Sequence, residues 1–136
     1  MSGSAGAGLE AGRGTVITGK GGGFSLAIQG SGQQGIDIAQ QSIGRFDPGV
    51  NVSGSGMEGI RLGENSSCFG IGMITCGNTG PDMRVDNGST LQMDDSQVGN
   101  LDLSLGAQAS VFGGTIASVT CDETVLTRGD IYCPIG

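Results

Sequence analysis

Residues 83–136 divide into three consecutive lines of eighteen: MRVDNGSTLQMDDSQVGN, LDLSLGAQASVFGGTIAS and VTCDETVLTRGDIYCPIG. The first column reads Met83, Leu101, Val119 and the third Val85, Leu103, Cys121, all apolar. The second and fourth hold Arg84, Asp102, Thr120 and Asp86, Ser104, Asp122. Each line therefore opens with the period-two alternation of a half-buried strand, and the same side faces inward each time. A unit this short presents only two or three inward side chains per strand and cannot close a core alone, so it must stack on its neighbours. The fold this predicts is all-β, a single-stranded β-solenoid.

Upstream, short strands are expected at residues 15–18, at FSLAI (24–28), at GIDIA (35–39), at VNV (50–52) and at GIRLG (59–63), with Asp47-Pro48-Gly49 as a turn. From Ile36 to Ile60 the step is 24 residues and from Ile60 to Met83 it is 23. The early coils are looser than the eighteens, and their extra residues belong in loops such as 45–48 and 77–82, since a solenoid accepts insertions at one edge while its strands keep register. The one stretch whose spacing also suits a helix is 37–43, and its neighbouring glycines count against that. Residues 1–14 read as a flexible tail or an N-terminal cap, and 15–136 as the solenoid domain. About six coils at the interstrand spacing make a rod on the order of 30 Å long.

Twenty-nine glycines would suggest disorder in a charged, weakly apolar chain, but hydrophobic residues make up 36% and charged residues only 14%. The glycines therefore serve tight corners. A net charge of −7, with Lys20 the single lysine and five scattered arginines, argues against a nucleic-acid partner or an anionic membrane surface. No run is long enough to span a bilayer. Histidine is absent, which removes the commonest general base and a frequent metal ligand, and with them the usual triads and His-containing zinc sites.

Cys68, Cys76, Cys121 and Cys133 are an even set without a CxxC, which fits two disulfides better than a zinc ribbon or a thioredoxin-like site. A bond between Cys121 and Cys133 would pin the last coil, and the chain-entropy model gives about 3 kcal/mol for a loop of that size. Cys68 and Cys76 would do the same across one coil. Three pairings are open, as is a role for cysteines as small hydrophobes stacked in the core. Disulfides favour an oxidising compartment. The N-terminal MSGSAGAGLEAGRG has no apolar leader segment, so the expectation is a leader already removed or another secretion route.

The lines GSTLQMDDSQVGNLDLSLGAQASVFGGTIASVTCDETVLTRGDIYCP, with their Gly-Ser-x-Leu phrase and closing Cys-Asp…Cys-Pro pair, resemble the C-terminal coils of secreted bacterial right-handed parallel β-helix proteins, the pectate-lyase-like superfold. The resemblance covers about residues 60–136, and the N-terminal half only loosely. It implies a right-handed parallel β-helix of about six coils. The superfold includes pectin-degrading lyases and hydrolases, phage tailspikes, adhesins and domains without known activity, so the fold does not deliver the function.

Two chemistries follow from that resemblance. Asn78-Thr79-Gly80 with Asp82, and Asp94-Asp95 one coil on, are similar to phrases of polygalacturonase-like enzymes, in which paired carboxylates supply general acid and base. The accompanying glycine-histidine-glycine phrase cannot occur here. Asp94 and Asp95, adjacent on a strand, point to opposite faces unless a bend intervenes. The bland reading of all three acids is that they are solvated corner residues. A lyase-like site would need calcium, for which Asp82, Asp86, Asp94 and Asp102 with Arg84 beside them are the densest candidates. GSGQQGIDI (30–38) only echoes the calcium-binding nonapeptide of toxins. Weaker signals are an Arg-Gly-Asp tripeptide at 128–130 and sequons at Asn51, Asn65 and Asn87, all expected by chance in such a composition.

The sequence thus favours a non-catalytic, secreted or cell-surface structural or binding module, surface, adhesin or filament-like, without a cofactor. It would self-associate or bind another chain through an open N-terminal coil, because an uncovered strand edge at about residues 15–30 invites pairing. The alternative is a polysaccharide-acting lyase or hydrolase, or a fragment of one, with Asp82, Asp94, Asp95 and Arg84 at its site.

Overall fold

The structure is a computed structural model that describes residues 3–20, 26–47 and 49–133. Fifteen strands follow one another without a helix among the described residues: β1 (Leu9–Ala11), β2 (Val16–Lys20), β3 (Leu26–Gln29), β4 (Ile36–Ile38), β5 (Ile43–Asp47), β6 (Val50–Ser53), β7 (Ile60–Leu62), β8 (Ser67–Ile71), β9 (Ile74–Thr75), β10 (Met83–Val85), β11 (Thr90–Asp94), β12 (Gln97–Leu103), β13 (Gln108–Phe112), β14 (Thr115–Cys121) and β15 (Leu126–Gly129). The expected strand at 24–28 begins at Leu26, with Phe24 outside the described residues, as is Pro48 of the expected turn. The stretch with helical spacing, 37–43, is instead the end of β4, a corner at Gln40 and Gln41 with φ of 57° and 62°, and the start of β5.

All recorded strand pairs are parallel, and their register follows the ruling read from the sequence. Up one sheet the first position runs Leu9, Ile36, Ile60, Met83, Leu101, Val119, in steps of 27, 24, 23, 18 and 18 residues. The third position runs Ala11, Ile38, Leu62, Val85, Leu103, Cys121. The second sheet repeats the steps through Val16, Ile43, Ser67, Thr90, Gln108 and Leu126. A parallel sheet of consecutive short strands with this register is solenoid-like, as the period requires.

The six-stranded sheet is a plain ladder, β2-β5-β8-β11-β13-β15. The nine-stranded sheet forks: the ribbons β1-β4-β7-β10 and β3-β6-β9 both end on β12, which then pairs with β14. The fork has a covalent cause. In the longer coils a six-residue loop (30–35, 54–59, 77–82) separates one coil's third strand from the next coil's first. In the eighteen-residue coils that loop is missing, so the two short strands fuse into seven-residue β12 and β14. The extra residues expected at 45–48 are not an outward loop, because Arg45 and Phe46 lie within β5.

The loops stack on one another. Gly30, Gly54 and Gly77 open them with φ of 67°, 67° and 70°, a region only glycine enters without strain. Gly30 N–H donates to Ser53 O and Gly54 N–H to Gly77 O, both at 3.1 Å.

On the inner face of the nine-stranded sheet, Ile36, Ile38, Ile60, Leu62, Met83, Val85, Leu101 and Leu103 are all at most 1% exposed. In the second sheet Phe46 sits in register between Gly19 and Gly70; a side chain at Gly70 would meet Met73, and one at Gly44 would meet Ile38 and the Phe46 ring. Part of the buried polarity is satisfied within the stack. Buried Ser42, Ser66 and Ser89 form a column whose hydroxyls accept from Thr15 N–H, Ser42 N–H and Ser66 N–H at 3.2, 3.1 and 3.2 Å.

Candidate functional site

The acidic residues nominated by the sequence do not converge. Arg84 and Asp102 lie on the outer face of the nine-stranded sheet in adjacent register and form an ion pair at 3.3 Å. Asp94 ends β11 in the other sheet, on the outward side, in register with Ile71 and Phe112. Asp95 follows as an exposed corner residue with φ of 49°, so a bend does separate the two carboxylates. Asp86 is buried beside β10, where it accepts from the Asn87 side-chain amide at 3.2 Å. Among the described residues no three His, Cys, Asp or Glu side chains come together in a way that would hold a metal ion, and the four calcium candidates are dispersed accordingly.

Asp82 differs from both readings made of it. It is only 4% exposed, and both carboxylate oxygens are engaged. Oδ1 accepts from Asn78 N–H at 3.1 Å and from Asn78 Nδ2 at 2.9 Å, and Oδ2 accepts from Asn100 N–H at 2.9 Å. Its position explains the burial. Residues 77–82 are the last such loop: Thr79 and Gly80 N–H donate back to Ser55 O and Met57 O, but Asn78 N–H, whose counterpart Ser55 N–H donates to Asn78 Oδ1 in the loop beyond, has no further loop to meet and is taken by the Asp82 side chain. The notion of a solvated corner residue is therefore corrected for Asp82: it is a buried structural acceptor.

The C-terminal end repeats this device. Asp122 Oδ2 accepts from Leu105 N–H at 2.9 Å, Oδ1 accepts from Thr124 N–H at 2.8 Å, and Thr124 Oγ1 accepts from Gly106 N–H at 2.7 Å. Leu105 and Gly106 are the last of the stacked positive-φ pairs that begin with Arg13-Gly14 and continue through Gln40-Gln41, Glu64-Asn65 and Asn87-Gly88. The hydrogen bonds from Thr124 and Leu105 hold the Asp122 carboxyl below the ordinary carboxylate range. At the other corner Asp130 Oδ2 accepts from Gly113 N–H at 2.8 Å. The aspartate of the Arg-Gly-Asp tripeptide is thereby engaged within the fold, while Arg128 is exposed beside a shallow hollow of about 390 Å³. None of these three capping side chains was identified from the sequence; the signal was an acid or hydroxyl placed one coil beyond each final turn.

Cys121 and Cys133 are joined, with Cα atoms 5.7 Å apart, and Ile131 packs against the core within the closed segment. Cys68 and Cys76 are free, which corrects the second local pairing. Cys68 points inward from β8 between Gly44 and Leu91, the small-hydrophobe alternative, and burial pushes its thiol up to about 12. Cys76 is exposed just past β9.

On the outer face of the nine-stranded sheet the second position runs Glu10, Asp37, Arg61, Arg84, Asp102, Thr120. Arg61 pairs with Asp37 at 3.4 Å. Desolvation nevertheless raises the Asp37 carboxyl, with Glu10 and Glu58 adding to the rise and Arg61 opposing it. Glu58 is 4% exposed with its Oε2 unpartnered, although Gln34 and Pro81 occupy the same place in the loops on either side.

The first coil presents the remaining candidate surface. Among the described residues β1 and β2 each pair on one side only, with β4 and β5, as β14 and β15 do with β12 and β13 at the other end. The apolar residues that reach the core without being fully buried are Leu9, Ile17 and Leu26 near this end and Ile116, Val119, Cys121, Ile131 and Cys133 near the other. Val16 is 60% exposed. Leu9–Ala11, read from the sequence as tail or cap, is in register with Ile36–Ile38 as the first rung of the ladder. No protein-family model, no curated protein and no solved structure matches the chain. The molecule is an all-β, parallel, solenoid-like protein, and its function rests on its own surfaces.

Proposed function

We propose that this chain is a right-handed parallel β-helix of about six coils that serves as a non-catalytic structural or binding module and assembles with another protein chain through the open edge of its first coil. The observation that carries the reading is the unpaired edge of the first coil among the described residues, where β1 and β2 each pair on one side only beside partly buried Leu9 and Ile17. β14 and β15 also keep one open edge, but there a disulfide closes residues 121–133 with Ile131 packed on the core, and side-chain acceptors meet the N–H groups of Leu105, Gly106 and Gly113 in the coil before. Unpaired edges of this kind template pairing with another chain. A secreted or cell-surface location fits the disulfide, since such bonds persist in oxidising compartments. The polysaccharide-acting alternative is less favoured, since Asp82 is buried with both carboxylate oxygens accepting from N–H donors and Asp94, Asp95 and Arg84 do not converge on it.

Light scattering of the full chain over a range of concentrations, with and without reductant, tests the reading. Association that persists under reduction supports assembly through the edge. A monomer in both conditions, at concentrations up to about 100 μM, a range typical of weak specific complexes, would remove it.

A further inference from the structure

Asn87 precedes Gly88, and it is the only asparagine in the chain followed by a glycine. In that setting the next backbone nitrogen can attack the side-chain amide, because glycine puts no side chain in the way. The fold itself calls for the pair. The two residues are the exposed corner between β10 and β11, with φ of 50° and 72°, a region that glycine enters freely and asparagine tolerates. A Cβ at position 88 would stand 2.5 Å from Asn65 Oδ1, so the stack leaves space there for glycine alone. The corner is tied to both neighbouring coils: Asn65 N–H donates to Asn87 O and Gly88 N–H donates to Leu105 O, each at 3.0 Å. The Asn87 side chain is turned to the preceding residue, where Nδ2 donates to Oδ1 of buried Asp86 at 3.2 Å.

We propose that Asn87 is a site of spontaneous deamidation that the stacked corner keeps closed, and that its conversion to isoaspartate prevents the corner from stacking again. The inference is independent of the assembly reading above. In the reaction the Gly88 nitrogen forms a bond to Asn87 Cγ and the Cγ–Nδ2 bond breaks. The proton lost from Gly88 passes through water to the departing NH2, which leaves as ammonia. Water then opens the five-membered imide at one of its two carbonyls and yields aspartate or isoaspartate, the latter with the main chain rerouted through Cβ and Cγ. Water is the only co-reactant. Two hydrogen bonds of the folded corner oppose the first step: Gly88 N–H must leave Leu105 O before its nitrogen can lose the proton, and the side chain must leave Asp86 before Cγ can reach that nitrogen. Conversion therefore proceeds through the minor population in which the corner has opened. Isoaspartate adds one atom to the main chain between β10 and β11, and a corner so lengthened no longer meets both Asn65 N–H and Leu105 O.

The test is incubation of the full chain in mildly alkaline buffer, folded and unfolded in urea, followed by mass spectrometry of the tryptic segment between Arg84 and Arg128. Fragment spectra separate Asn87 from Asn100, the other asparagine of that segment. Conversion at Asn87 is expected to be at least roughly tenfold slower in the folded chain, as reaction through a minor open state requires. Equal rates in the two states, or an unfolded chain that stays unconverted at Asn87, overturn the protected site. The isoaspartate chain is then separated by ion exchange and refolded. Its Gly88 amide is expected to exchange hydrogen at least roughly tenfold faster than in the native protein, having lost its acceptor. The Asn87→Asp variant carries the new charge without the extra main-chain atom and is expected to keep that amide protected. An isoaspartate chain whose Gly88 amide is as protected as the native one overturns the block to restacking, and so does an Asn87→Asp variant that loses protection to the same extent.

Discussion

Replacing Asp82 by Ala separates a structural carboxylate from a catalytic one. The substitution removes the acceptor for Asn78 N–H, Asn78 Nδ2 and Asn100 N–H at 3.1, 2.9 and 2.9 Å. A hydrogen bond to a charged group contributes about 1.5–3 kcal/mol, and a donor left unpaired away from water costs about 1–3 kcal/mol. The Asn78 side chain can turn to solvent, and the two backbone donors are only partly buried, so the lower part of that range applies to each. The expected loss is about 2–3 kcal/mol, equivalent to a fall in Tm of about 5–10 °C for a chain of this size. Urea unfolding followed by circular dichroism measures it, and hydrogen exchange localises it, since the amides of Asn78 and Asn100 are expected to lose protection before those of β11. Asp94→Asn, on an outward residue, is expected to remain within about 0.5 kcal/mol of the native protein. An Asp82→Ala variant equally close to native stability, with those two amides still protected, would refute the assignment.

The Asp122 carboxyl is held below its ordinary range in the folded chain, so its contribution is complete above the unfolded value near 3.8 and is lost as the pH falls through the lower folded value. The last coil is expected to fray in that acid window, and Asp122→Asn to abolish the dependence, read by hydrogen exchange at Leu105. Reduction of Cys121–Cys133, a loop of 12 residues, is expected to cost about 3 kcal/mol locally and to expose the bond after Arg128 to trypsin while the upstream coils stay folded. A maleimide is expected to label Cys76 in the native protein and Cys68 only on unfolding, because Cys68 is buried with its thiol at about 12; labelling of both at one rate would contradict the inward placement of β8. Glu58→Gln is expected to lower the pKa of Asp37, since Glu58 is one of the charges that raise it, and an NMR titration of the Asp37 carboxyl reads the shift.

The parts of this fold that were legible in the sequence were those governed by a constant period. Met83, Leu101 and Val119 stack as their eighteen-residue spacing requires, and Ile36, Ile60 and Met83 follow at the looser steps. Leu9 was missed because a single apolar residue among glycines and alanines has no alternation around it; its partner Ile36 supplies the rung from a distance of 27 residues. The fork in the nine-stranded sheet was also hidden, since it depends on a loop that is present in three coils and absent in the next. The cysteines divided by side: Cys121 and Cys133 meet across the last coil, whereas Cys68 faces inward and Cys76 outward, an orientation that pairing rules based on spacing do not contain.

The acids were the hardest residues to read, and the reason is physical. A carboxylate beside a backbone N–H is useful both to an enzyme and to a structure that has run out of carbonyls, so a sequence marks the two in the same way. What distinguishes them is whether lone pairs remain for another donor. In a stack of turns some N–H groups donate to the turn before and others to the turn beyond, some of them to serine or asparagine side chains, and those that point onward need another acceptor where the stack stops. Three such places have a side-chain oxygen: Asp82 at Asn78 in the last of the long loops, Asp122 with Thr124 at the Leu105-Gly106 corner, and Asp130 at Gly113. Three of the thirteen acidic residues are thus accounted for by where the ladders end.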